Sequence, residues 1–189
     1  NYGEAVAWNG TMWVAVGLGT NALAYSYDGI TWVGLGLTIF STSGRGVAWN
    51  GTMWIAVGGG SNNSIAYSYD GKTWTGLGAS IFSNYGCWGV AWNGTMWVAG
   101  GLGTHTLAYS YDGIAWTGLG STIFSSYAFG VAWNGTVWVA GGSGTNSIAY
   151  SYDGITWTGL GTDMFDVTGF DVAWNGTMWV AVGRDSNTI

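Results

Sequence analysis

The sequence predicts an all-β fold: a β-propeller of about 41-residue, four-stranded blades, with five repeats and the fifth incomplete, holding strands A and B only. Three observations lead there. Val-Ala-Trp-Asn-Gly-Thr recurs with its Asn at Asn9, Asn50, Asn93, Asn134 and Asn175, at intervals of 41, 43, 41 and 41 residues. Ala-Tyr-Ser-Tyr-Asp-Gly recurs with its Asp at Asp28, Asp70, Asp112 and Asp153, so the first half-repeat occurs five times and the second four. The runs between these joints are short and rich in Val, Trp, Tyr, Ile and Thr, which favours strands over helices. A period near 41 belongs to propeller blades and lies away from the periods of helical hairpins and leucine-rich repeats. The 189 residues form one domain of units 1–41, 42–83, 84–125, 126–166 and a partial 167–189.

In the second unit, strand A is expected over Gly46 to Asn50, strand B over Met53 to Val57, strand C over Ile65 to Tyr69 and strand D over Thr73 to Leu77. Asn50-Gly51 and Asp70-Gly71 suit two-residue primed hairpin turns, whose central residues take positive φ. The strands are almost continuously apolar, as expected for a sheet covered on both faces by neighbouring sheets. Fourteen of the fifteen Trp fall one per strand on A, B and D, as Trp49, Trp54 and Trp74 do in the second unit. That regularity assigns them to packing between blades. Trp88 stands outside it.

Composition excludes several functions. Only 6% of residues are charged and the net charge is −6, with Arg45, Lys72 and Arg184 the only fixed cations. No nucleic-acid partner is therefore expected, because few phosphate counterions can be displaced. No apolar run approaches the roughly 20 residues that cross a bilayer, so no membrane insertion is expected. A single Cys87 excludes an internal disulfide framework, and no metal or other cofactor is expected. One Glu, Glu4, and one His, His105, offer no recognisable pair of carboxylates or nucleophile with a base, so the chain is not expected to be an enzyme. The 189 residues contain no targeting or transmembrane segment, which fits an extracellular or virion-surface location.

Ser-Tyr-Asp-Gly-Ile-Thr-Trp at Ser26 to Trp32, with copies beginning at Ser68, Ser110 and Ser151, resembles the Asp-box, the bacterial neuraminidase repeat of many β-propellers. The family pattern, Ser-x-Asp-x-Gly-x-Thr-Trp, lies on the hairpin joining strands C and D. Here one residue between Asp and Gly is missing, and Ala115 replaces Thr in the third copy. The resemblance implies a fold marker: Asp28, Asp70, Asp112 and Asp153, with the neighbouring hydroxyls, bind the turn backbone. It does not extend to sialidase chemistry, which in that family needs three arginines and a Tyr–Glu pair. This chain has two arginines and one Glu.

Strand direction sorts the connections into two ends. A–B and C–D turns share one end and barely vary. B–C loops and D-to-A connections share the other, which carries both single-residue insertions and most of the chemical variation. Loops on a rigid scaffold are where function concentrates, so the ligand-binding site is placed there. Its centre is the position two residues before the Val of Val-Ala-Trp: Glu4, Arg45, Trp88, Phe129 and Phe170. Strand A is the innermost strand of a blade, so these five side chains are expected to ring the mouth of the central channel. Asn21, Asn62, His105 and Asn146, with Asn187 as a further copy, join the site from the B–C loops. The expected function is a non-catalytic binding module, lectin-like towards a glycan or else docking a protein. The alternative is a structural or self-assembling repeat protein, a surface or viral component or an engineered propeller fragment, with no small-molecule ligand and with self-association through the incomplete fifth blade.

Overall fold

The computed structural model describes residues 2–83 and 85–186; Asn1, Asn84 and Asn187–Ile189, including the Asn187 copy of the B–C loop position, lie outside the described residues. It is an incomplete β-propeller of antiparallel sheets. The first blade comprises β1 (Tyr2–Trp8), β2 (Trp13–Leu18), β3 (Leu23–Ser26) and β4 (Val33–Gly34), and the second β5 (Ser43–Trp49), β6 (Trp54–Gly59), β7 (Ile65–Ser68) and β8 (Thr75–Gly76). The third holds β9 (Cys87–Trp92), β10 (Trp97–Gly101), β11 (Leu107–Ser110) and β12 (Thr117–Gly118). The fourth holds β13 (Tyr127–Trp133), β14 (Trp138–Ser143), β15 (Ile148–Ser151) and β16 (Thr158–Gly159), and β17 (Thr168–Trp174) with β18 (Trp179–Arg184) makes a half-blade.

Blades are held to one another by three apolar cores. Between the first and second, Met12, Val14, Val16 and Phe40 meet Trp54, Ala56 and Ala66. Met53, Ile55, Val57 and Phe82 meet Trp97, Ala99 and Ala108 between the second and third, and Met96, Val98 and Phe124 meet Trp138, Ala140, Ala149 and Trp157 between the third and fourth. Each blade thus shows a Met- and Val-rich face to its successor and a Trp- and Ala-rich face to its predecessor. This accounts for the continuous apolar character of the strands: both faces of an inner blade are covered.

Strand limits differ from expectation in a consistent way. Strand A starts earlier, at Ser43 in the second blade, and strand D shrinks to Thr75–Gly76. Trp32, Trp74, Trp116 and Trp157 therefore close the C–D turn instead of sitting on strand D, and each donates its indole N–H to the Gly carbonyl three residues back.

The turns are also not two-residue primed hairpins, because among the described residues none other than Gly has positive φ. Trp49 pairs with Trp54 across a four-residue loop in which the N–H of Asn50 donates to the Met53 carbonyl. Asn50 Oδ1 accepts the backbone N–H groups of Thr52 and Met53 at 2.9 and 2.8 Å, and only Gly51 takes a positive φ, of 100°. Asn thus serves as a side-chain cap for the loop, a role open to it with ordinary φ.

At the C–D turn the Ser68 hydroxyl donates to Asp70 Oδ1 and accepts from the N–H of Gly71, while Asp70 Oδ1 accepts from the N–H groups of Lys72 and Thr73. The same set recurs at Asp28, Asp112 and Asp153. These bonds favour the ionised carboxylate. Donation from the Thr73 N–H to Asp70, and from the Thr156 N–H to Asp153, leads in holding both carboxyls at about 2, and Asp28 and Asp112 are lowered as well. A carboxylate whose pKa is depressed on folding stabilises the fold fully above its unfolded value, about 3.9, and loses that contribution as pH falls through the folded value. The urea midpoint should accordingly hold from pH 7 to about pH 4.5 and drop between pH 4 and pH 2. A midpoint as high at pH 2 as at pH 7 would refute this account of the turns.

Candidate functional site: the channel mouth

Strand A of every blade lines the central channel, and each carries a β-bulge at the same place. Pairing shifts register between Gly3 and Ala5, Gly44 and Gly46, Ala128 and Val131, and Gly169 and Asp171, and between Gly100 and Gly101 opposite Cys87 and Gly89. The extra residues are Glu4, Arg45, Trp88, Phe129 and Phe170. A bulge leaves one residue out of the ladder and re-aims its side chain. Here it brings five side chains from five strands together, and all five line one cavity of about 410 Å³.

Aromatic packing organises this mouth. The Trp88 ring lies 5.3 Å from Phe129 and 5.5 Å from Tyr127, edge to face in both cases, while Tyr127 and Phe129 stack at 5.4 Å. Phe170 meets Phe129 edge-on at 5.6 Å. The Arg45 guanidinium lies 4.3 Å from the centre of the Trp88 ring and donates to the Tyr85 carbonyl. Desolvation holds its pKa below the usual arginine value, against the raising influence of Cys87 and Glu4. Asp171 adds a second carboxylate to the lining beside Glu4. The site therefore offers aromatic faces over part of its wall, carboxylate acceptors elsewhere, and an arginine already engaged with a ring and a carbonyl.

Where glycine follows the bulge, at Gly46, Gly89 and Gly130, the next A strand comes close. A Cβ on Gly46 would lie 2.8 Å from the Trp88 carbonyl oxygen, and one on Gly89 would fall inside van der Waals contact of the Phe129 carbonyl. Glycine is required at these positions by backbone approach, not by an unusual φ.

The remaining predicted site residues are placed differently. Trp88 is not in a loop: it belongs to β9, and Arg45, Phe129 and Phe170 likewise sit within strands. The B–C loop residues spend their polar groups on backbone, within their own blade and on the connection that leads into it. Asn21 Oδ1 accepts the Gly36 N–H, His105 Nδ1 the Gly120 N–H, and Asn146 Oδ1 the Gly161 N–H, each at 2.8 Å. Asn146 also donates to the Ile123 carbonyl. In the second blade this brace is Asn63, bonded to Gly78 and Ile39, whereas Asn62 stands outside it and accepts from the Ser61 hydroxyl. Asn21, His105 and Asn146 are thus ties across the outer part of each blade, and none of them lines the mouth cavity, nor does Asn62.

Cys87 is fully buried, with its thiol donating to the Gly100 carbonyl, and burial pushes its pKa well above the usual range. Sequence reasoning missed Asp171, which lines the cavity, and Tyr127, which does not line it but packs against Trp88 and Phe129. Tyr127 lies two residues before Phe129 on the same strand, and alternation along a strand was the available signal. Among the described residues no group of three or more His, Cys, Asp or Glu could hold a metal ion, and no helix is long and apolar enough to cross a membrane.

No protein-family model and no curated protein matches the sequence. Solved structures do. The computationally designed Ika8 protein superposes with a TM-score of 0.68 at 12% identity, covering 98% of this chain and 56% of its own. A chain of a nidogen/laminin complex gives 0.72 at 12% identity, covering 95% and 71%, and an extracellular domain from B. thetaiotaomicron gives 0.70 at 13%, covering 97% and 25%. This chain spans little more than half the length of the designed protein it matches. At such identities the likeness concerns the fold, and it is to propeller-like folds.

Proposed function

We propose that the chain is a non-catalytic binding module whose ligand, a neutral glycan, seats in the channel mouth. The observation that carries this is the convergence of five bulge residues on one cavity, with Trp88, Phe129 and Phe170 in its lining and Tyr127 packed against the first two. A pyranose has an apolar C–H face that stacks on such rings and hydroxyls that donate to carboxylates such as Glu4 and Asp171. Arg45 is held over Trp88 and by the Tyr85 carbonyl, so an anionic group would have to displace bonds already made. In this proposal the C–D hairpins are Asp-box turns in their scaffold role, and the location is extracellular or on a virion surface.

A neutral-oligosaccharide array followed by titration calorimetry tests the proposal. Phe170→Ala should weaken the best glycan by about fivefold or more with little change in stability, because Phe170 is 45% exposed. Trp88→Ala should weaken it more, and its packing on Arg45 and Phe129 adds a stability loss of about 1–2 kcal/mol. Absence of any bound neutral oligosaccharide, or affinity unchanged in both variants, refutes the proposal.

A further inference from the structure

We propose that a second sugar subsite opens off the channel mouth between the second and third blades, so that the module binds a linear oligosaccharide across two cavities instead of one terminal sugar. This rests on the mouth as a glycan site and deepens that reading. The features that carry it lie in the interior of the repeat array. The 43-residue interval between Asn50 and Asn93 exceeds the others by two, with one extra residue in the B–C loop at 58–65 and one in the connection at 82–90. The fold brings both lengthened segments to a single cavity of about 310 Å³, lined by Gly59, Gly60 and Ser61 from the loop, Tyr85 from the connection, and Thr42 and Arg45. Arg45 joins this cavity to the mouth, since it lines both. Its guanidinium stands over the Trp88 ring and donates to the Tyr85 carbonyl.

Room here comes from a missing side chain. At the position of Gly59 the other blades carry Leu18, Leu102, Ser143 and Arg184. A Cβ on Gly59 would lie 3.1 Å from the Tyr85 carbonyl oxygen and 3.5 Å from the Arg45 guanidinium carbon, so any side chain would grow towards the groups that line the cavity. In the connection, Gly86 takes a φ of 103° and its N–H donates to the Ser83 carbonyl, and Tyr85 is left 74% exposed. The chemistry of the lining selects the ligand. Thr42 and Ser61 supply hydroxyls and Tyr85 an exposed aromatic side chain, and none of the lining residues is acidic. A guanidinium carries five N–H donors, of which the Tyr85 carbonyl takes one, so Arg45 has donors to offer a hydroxyl or glycosidic oxygen that passes over it. Both cavities reach the size of small-ligand sites, which begin at roughly 300 Å³. A sugar seated on Trp88 and Phe129 thus places its next unit, across Arg45, against Tyr85, where a C–H face stacks and hydroxyls find partners.

Titration calorimetry tests this on the parent, Tyr85→Ala and Phe170→Ala, with the neutral linear glycan that binds best on the array supplied as its own ladder from monosaccharide to tetrasaccharide. Tyr85→Ala removes an exposed side chain and keeps the backbone carbonyl that holds Arg45, so the fold and the mouth stay as they are. The parent should bind the longer members about tenfold more tightly than the monosaccharide. Tyr85→Ala should lose about fivefold on the longer members and nothing on the monosaccharide, whereas Phe170→Ala should weaken every length. Parental affinity that does not rise with length, a Tyr85→Ala protein that keeps the whole gain, or a Tyr85→Ala loss equal at every length overturns the second subsite; with Phe170→Ala still weakening every length, the mouth then stands alone. If no member of the ladder binds, the reading of the mouth falls and the subsite with it.

Discussion

Trp54→Ala is expected to remove about 3–5 kcal/mol of folding stability, read as a lower urea midpoint with an unchanged slope. Trp54 is fully buried between the first and second blades, where its ring packs with Val14, Val16 and Phe40. Truncation removes the apolar area and leaves a cavity whose walls are strands already pinned by their own ladders, so collapse around it is limited. The repeat supplies an internal control. Trp13 holds the same strand-B position in the first blade but is only partly buried, because among the described residues no preceding blade covers that face. Trp13→Ala should cost about 1–2 kcal/mol, mainly from lost contact with Trp8 at 4.8 Å. Equal losses at the two positions would show that burial between blades is not what stabilises the tryptophans.

That contrast between identical residues explains what was legible in the sequence and what was not. The period, the all-β class and the use of tryptophan for packing follow from local composition and repetition, which a single chain displays in full. The ring position was also legible, because a variable residue before an invariant Val-Ala-Trp can be placed on the innermost strand without coordinates. Its cause was not. A bulge is a property of two strands in register, and nothing in Gly44-Arg45-Gly46 alone states that Arg45 faces no partner residue.

The bonding of Asn21, His105 and Asn146 was hidden for a related reason: a polar loop residue is expected from sequence to face solvent or ligand. In fact each binds the N–H of a glycine 15 residues onward. That constant spacing, which Asn63 to Gly78 repeats across the insertion, was the available signal. Aligning on it would have placed Asn63, not Asn62, in the series. The turns were misjudged in their φ angles because Asn-Gly suits two geometries, and the following Thr and Met N–H groups, both bonded to the Asn side chain, select the longer loop.

Gly89→Val should cost about 3 kcal/mol and abolish the glycan binding proposed for the channel mouth together with it. A side chain at Gly89 points at the Phe129 carbonyl and at the Gly130 Cα, 3.3 Å from the position a Cβ would take. Both obstacles are backbone, which has no rotamer to yield, so β9 and β13 must move apart; overpacking of this kind costs about 1–3 kcal/mol, and a β-branched side chain lies at the upper end. Ala5 shows that a methyl is accommodated at this position in the first blade, and Asp171 shows that a longer side chain is borne in the half-blade, where no further A strand follows among the described residues. The displaced element would carry Trp88 away from Tyr127 and Phe129, whose ring contacts at 5.5 and 5.3 Å span the same strand pair. Stability and ligand affinity should therefore fall in one variant, in contrast to Phe170→Ala, where affinity falls and stability does not. A Gly89→Val protein with parental stability would mean that β9 and β13 have room between them, and the close strand approach that assembles the mouth would not hold.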